Sequence, residues 1–99
     1  MRAIHIAHLD KARPVLLLTR ETVQPHLDTV TVAPLTGTIR GLSTEVPVGV
    51  ENGLEGASVV ACDHVTTIPR DALGERVGHL LDDQDVELAA AIRAAFDLD

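Results

Sequence analysis

Four consecutive apolar residues, Val15 to Leu18, constrain this chain more than any other stretch. No polar residue alternates among them, so a strand built from "PVLLLT" must be covered on both faces. Neighbouring strands and a second packing layer therefore have to come from the rest of the chain. Arg13 and Pro14 stand at the mouth of this strand. Proline is tolerated at a strand's first position, where its missing donor does little harm. A permanent cation beside it either caps the core with a solvated charge or is aimed at something.

Partners for that strand can be read on both sides. "AIHIAHL" puts Ile4, Ile6 and His8 on one face and His5, Ala7 and Leu9 on the other. "TVTVAPL" alternates Val30 and Val32 against Thr29, Thr31 and Ala33. Between them, "RETVQPHLD" has room for a short helical turn, limited by Pro25. "TGTIRGLSTEVPVGV" reads as two short strands around a bend at Gly41, and Asn52-Gly53 suits a tight reversal. "ASVVAC" and "DHVTTI" follow as strands, and Pro69 and Asp71 open a single helical turn. The tail changes period. Leu81, Leu88, Ile92 and Phe96 lie 7, 4 and 4 apart along one helix face, with Asp82 or Asp83 placed to cap it. The expected fold class is α+β: a small, mainly antiparallel curved sheet or barrel closed by a C-terminal helix, one domain over residues 1–99.

Charge is divided unevenly along the chain. Residues 1–44 carry five cations against three carboxylates, whereas residues 45–99 carry three arginines against twelve. The total of −7 argues against a general nucleic-acid coat, which needs many phosphate contacts. A small basic site for one or two phosphates remains compatible with it, built mainly from the first half. No apolar run approaches the roughly 18 residues of a membrane span, and "MRAIHIAHLDKARP" has neither an apolar signal core nor a small-residue cleavage site. The single cysteine, Cys62, cannot form an intrachain disulfide, and a reducing cytoplasm is the simplest compartment.

Five histidines raise the question of a metal. His5 and His8 are three apart in a strand and so point to opposite faces, and neither HExxH nor a Cys/His cluster is present. No metal and no cofactor is expected. Cys62 and His64 would share a strand face, but free cysteine in an apolar strand usually acts as a small hydrophobe. No nucleophile elbow, phosphate-binding loop or dinucleotide motif occurs. What remains is Arg13, which begins "RPVLLLT", and Thr36, which ends "TVTVAPLT". If those strands are antiparallel neighbours, the two residues meet at one rim of the sheet.

Those same segments carry a resemblance. "RPVLLLTRETV", "TVTVAPLT" and "GLEGASVVACDHVTTIPRDAL", in that order and spacing, resemble the MazF/PemK toxins, endoribonucleases of bacterial toxin–antitoxin pairs. The similarity runs from about Ala12 to Leu73. It implies an SH3-like barrel of the CcdB/PemK type. Its partners would be single-stranded RNA (messenger, ribosomal or transfer), a cognate antitoxin and a second copy of the chain. By this match the catalytic arginine is Arg13 and the catalytic threonine Thr36, and the acid-amide pair by the RNA groove falls on Asp63 and His64. Lys11, Arg20 and Arg40 are the further candidates for RNA contact. Most members carry a long glycine-rich loop before the arginine, whereas only "LDKA" stands there in this chain.

The implied reaction is attack by the RNA's own 2′-hydroxyl on the adjacent phosphate, which requires no metal. A guanidinium is effectively always charged, so Arg13 suits clamping the phosphorane better than accepting a proton. Thr36 would orient a phosphate oxygen or the 2′-hydroxyl, and His64 is a candidate base. With no Trp or Tyr and Phe96 assigned to the helix face, base stacking would fall to arginine or histidine. Two other readings stay open: a CcdB-like toxin that binds gyrase without catalysis, and an interaction module with a dead site.

Overall fold

Strand β2, Ala12–Leu17, lies between two antiparallel neighbours in the computed structural model, which describes residues 2–20 and 26–98. On one side is β1, Ala3–His8, paired from Ile4↔Leu16 to His8↔Ala12. On the other is β3, Thr29–Thr36, paired through Val15↔Pro34, Leu16↔Ala33 and Leu17↔Val32. Alternate β2 residues enter different clusters. Val15 and Leu17 join Ala7, Val30, Val32 and Ile68 on one face. Leu16 joins Ile4, Ala33, Leu35, Val60 and Leu88 on the other. The apolar run is buried on both faces, as its lack of alternation requires. Pro14 is not the first strand residue, but the β2–β3 ladder begins only after it, at Val15.

Strand β3 is where the sheet curls. Its first half pairs with β6, Thr66–Pro69, and its last two residues pair with β5, Ser58–Ala61. Pro34, which has no N–H to donate, lies between the two sets of partners. Strand β4, Glu45–Val48, adds to β5, and β7, Leu73–His79, adds to β1 at the opposite edge. The sheet order is β4-β5-β3-β2-β1-β7, with β6 on β3 off this path. Helix α1, Asp82–Phe96, closes the larger core over β4 and the turn after β5. The architecture is therefore a curled antiparallel sheet with one C-terminal helix, as expected.

Several local expectations are corrected. In β1 the buried residues are Ala3, Ile4 and Ala7, because irregularities in the β1–β7 pairing break strict alternation. In β3, Ala33 is buried as well as Val32, since the curl covers both faces there. Of the two short strands expected around Gly41, only β4, after it, forms. Residues 37–44 form a loop, whose N–H groups at Thr38, Arg40 and Leu42 are taken up by side chains. "DHVTTI" is split, with Cys62–His64 forming a 3-10 turn before β6. A further 3-10 turn over Arg70–Ala72 matches the turn expected from Pro69 and Asp71. The helical turn expected within Arg20–Asp28 falls mostly on 21–25, outside the described residues.

The helix face is also shifted from the expected stripe. Gln84, Leu88 and Ala91 are the buried positions, whereas Phe96 is 51% exposed. Neither Asp82 nor Asp83 caps the helix; the N–H of Leu81 donates to Gln84 Oε1 at 2.9 Å. That glutamine belongs to a buried amide pair. Asn52 Nδ2 donates to Gln84 Oε1 (2.6 Å) and to the His79 carbonyl (3.0 Å). Gln84 Nε2 donates in return to Asn52 Oδ1 and to the Pro47 carbonyl, both at 3.3 Å. Gly49 N–H donates the remaining bond to Asn52 Oδ1. Every polar atom of the pair is satisfied, which is the condition for burying it without penalty.

Asn52-Gly53 is therefore an anchored turn within residues 49–57, the longer connection by which the chain reverses from β4 to β5, and not a tight reversal of its own. It closes a 3-10 turn over Val50–Asn52, with Gly53 in the left-handed region at φ 89°. Gly78 on β7 packs against it so closely that a Cβ would overlap the Asn52 carbonyl oxygen. Asn52→Ala should leave Gln84, the Gly49 N–H and the His79 carbonyl short of partners, at a cost of about 2 kcal/mol. A thermal melt should then fall by roughly 10 °C.

Candidate active site

The site lies at the rim where β2 and β3 part. The ladder ends at Val15↔Pro34, two residues short of both Arg13 and Thr36, where β3 turns away to pair with β5. Both line a groove of about 310 Å³, together with Thr38, Arg40, Leu42, Glu45, Asp63 and His64. Its floor is strand, from Pro34, Leu35 and Ala61, and its walls are loop 37–44 and the 3-10 turn Cys62–His64. Arg13 projects from the central strand of the sheet, where it pairs with Ala7 of β1.

The electrostatics of the groove centre on Arg13. It is exposed, and among the described residues no carboxylate lies within ion-pairing distance of it. Arg40, the second guanidinium of the groove, likewise has no carboxylate partner among the described residues, so the groove carries two arginines open to an anion beside the acids Glu45 and Asp63. Thr36 is oriented. Its Oγ1 accepts the N–H of Thr38 at 3.1 Å, which leaves the hydroxyl proton available to donate into the groove. Opposite, His64 Nε2 lies 3.9 Å from Asp63 Oδ2, with the imidazole 65% exposed.

Five of the seven residues singled out in the sequence thus share one groove: Arg13, Thr36, Arg40, Asp63 and His64. Lys11 sits on the exposed three-residue turn between β1 and β2, two residues before Arg13. Arg20 lies past the other end of β2, away from the groove. Thr38, Leu42 and Glu45 were not foreseen, because only the fold of loop 37–44 brings them to the wall. Among the described residues no three His, Cys, Asp or Glu side chains converge as a metal site would.

Comparison with known proteins is decisive about family. Residues 5–96 match the model of the PemK-like, MazF-like toxins of type II toxin–antitoxin systems. The chain belongs to that family. It is 64% identical over 99 residues to Endoribonuclease MazF3 of Mycobacterium tuberculosis, covering 100% of this chain and 96% of that one. The solved Mycobacterium tuberculosis toxin MazF-mt6 superposes with a TM-score of 0.95 at 63% identity, over 99% of both chains. A mycobacterial endoribonuclease in complex with its cognate antitoxin superposes with a TM-score of 0.87 at 26% identity, over 98% of this chain and 93% of that one. The CcdB/PemK-type fold implied by the family segments is therefore the fold of the chain.

Cys62 is removed from any catalytic reading of the site. It is fully buried in the larger core, whereas His64 is exposed, so the two do not share a strand face. Burial, and then the neighbouring charge of Asp63, push its thiol up to about 11. It is thus neutral at any ordinary working pH and unable to serve as a thiolate nucleophile. An alkylating reagent at pH 8 should leave Cys62 unmodified in the folded protein and label it once denaturant is added. Rapid labelling of the native chain would contradict its place in the core.

Proposed function

We propose that the groove cleaves single-stranded RNA by transesterification and that the chain is the endoribonuclease toxin of a toxin–antitoxin pair, one toxin domain over residues 1–99. The single observation that carries this reading is that Arg13 and a pre-oriented Thr36 hydroxyl line one groove at the rim of the sheet. A gyrase binder or an inert module has no need of that pairing. The substrate's 2′-oxygen attacks the adjacent phosphorus, giving a pentavalent phosphorane. The P–O5′ bond then breaks as the leaving oxygen, hydrogen-bonded by Arg13, takes a proton from water, leaving a 2′,3′-cyclic phosphate on one fragment and a 5′-hydroxyl on the other.

Each groove residue has a task in that sequence. Arg13 clamps the non-bridging oxygens, whose charge grows as the phosphorane forms, and its planar fork can meet two of them. Thr36 donates its free proton to one of those oxygens or positions the 2′-hydroxyl. His64, beside Asp63, is the group that takes the 2′-hydroxyl proton. Arg40 offers a planar surface against which a base can stack, because Phe96 lies at the end of α1 and lines no part of the groove. Lys11, next to the site, and Arg20, beyond it, extend phosphate contact along a longer strand.

Assembly and setting follow from the same reading. Among the described residues the sheet ends at β4 and β7, with β6 paired on one side only, and the chain offers limited surface for several nucleotides, which favours a twofold dimer with a shared groove. An antitoxin segment occupying that groove would block it, in keeping with the solved relative described with its cognate antitoxin. The setting is the cytoplasm, where its RNA substrate is found. Among the described residues no helix is long and apolar enough to cross a membrane.

Substitutions at the two rim positions test the reading. Arg13→Lys keeps the charge but loses the fork, and should lower turnover about 100-fold while RNA binding weakens little. Thr36→Ser should retain most of the activity, and Thr36→Val should lose about 10²–10³ in rate. Both residues end strands at the rim, so melting temperatures should stay near that of the parent chain. Arg13→Lys cutting at the parent rate in a folded protein would reduce Arg13 to a solvated cap.

A further inference from the structure

One wall of the groove has no regular structure behind it. Residues 37–44 form neither strand nor helix, and Ile39 and Leu42 in it are exposed. The turn between β1 and β2 comprises only residues 9–11, none of which lines the groove. Recognition beyond the scissile phosphate therefore falls largely to loop 37–44. That loop must hold a shape if it is to discriminate among bases.

One carboxylate gives it that shape. Glu45 Oε1 accepts the N–H of Arg40 at 3.1 Å and the N–H of Leu42 at 3.2 Å. Gly41, between them, is left-handed at φ 72°, a conformation that turns flanking N–H groups toward a common anion. Glu45 N–H donates back to the Leu42 carbonyl at 3.1 Å, closing the loop onto the start of β4. Glu45 also pairs with Ala61, the residue just before the turn that carries Asp63 and His64. Both walls are thus referred to a single residue, the loop through its carboxylate and the 3-10 turn through its backbone.

We propose that Glu45 is the positioning residue for substrate recognition: it fixes the backbone from which Arg40 and Leu42 face the RNA, without itself touching the reacting atoms. This rests on the RNA-cleavage reading above. Hydrogen bonds from backbone N–H groups to a charged acceptor are among the stronger ones, so their loss should free the wall. Arg13 and Thr36 stand on strands and should stay in place. The consequence falls on binding and base selection, not on the chemical step.

The experiment measures kcat, KM and the set of cut sites on a long single-stranded RNA for the wild-type chain and five variants, Arg40→Ala alone among them. Glu45→Ala should raise KM about tenfold, leave kcat within a factor of about two and widen the set of sites cut. Glu45→Gln retains an oxygen that can accept both bonds and should restore KM to within about threefold of wild type. Gly41→Val adds a side chain in open space but strains the left-handed turn, so it should raise KM with the carboxylate intact. Combined with Arg40→Ala, Glu45→Ala should add little, since the two act through one contact. Amide exchange at Arg40 and Leu42 should quicken in Glu45→Ala and stay slow in Glu45→Gln. Wild-type KM, site selection and amide exchange in Glu45→Ala would overturn the role of Glu45 alone. Failure of the wild-type chain to cut any RNA would instead overturn the cleavage reading, and the recognition role with it.

Discussion

The double burial of β2 is the constraint on which the rest of the molecule depends. A strand with Val15 and Leu17 committed to one cluster and Leu16 to another cannot slip by one residue without exchanging its two faces. Its register against β1 and β3 is therefore fixed by packing on both sides at once. Arg13 lies just outside that locked segment, so the guanidinium inherits a position that the core has already determined. Thr36 inherits its own from the other end of β3, where it pairs with Val59 of β5. A clamp for a phosphorane needs placement within fractions of an ångström, and an exposed arginine on a mobile loop would not provide it.

A second anchor operates at the opposite side of the larger core. The Asn52–Gln84 pair ties the β4–β5 connection to the first turn of α1, and through the His79 and Pro47 carbonyls to β7 and β4. Apolar packing would hold these elements together but would permit sliding. Reciprocal amide bonds are directional and admit one alignment. The close approach of Gly78 to the Asn52 carbonyl depends on that alignment. The site itself uses the same device in a smaller form, with a side-chain oxygen of Thr36 or Glu45 receiving backbone N–H groups that no strand partner takes.

This division explains which features the sequence made legible. Val15–Leu18 announces its environment because apolar residues without alternation have one interpretation in a strand. The meeting of Arg13 and Thr36 follows from antiparallel adjacency of two recognisable strands. Strand β7 escaped detection because Gly74, Gly78 and the charged pair Glu75 and Arg76 interrupt its pattern, and Gly78 is there for a close approach that only the fold reveals. Gln84 was missed because a glutamine in a helix reads as exposed, and its burial depends on a partner 32 residues away. Glu45 reads as a surface acid for the same reason. Polar groups that satisfy one another across the fold leave no periodic trace, whereas apolar faces do.

The most direct test of the account is the chemistry of the cut ends. A long single-stranded RNA is incubated with the chain in excess EDTA, and the fragments are analysed by mass, beside the same RNA carrying a single 2′-deoxy nucleotide on the 5′ side of a mapped cut. Attack by the 2′-hydroxyl at a site where Arg13 stabilises the phosphorane predicts 2′,3′-cyclic phosphate and 5′-hydroxyl ends, with cutting abolished at the deoxy position alone. Cleavage at the deoxy position, or fragments ending in 5′-phosphate, would contradict it.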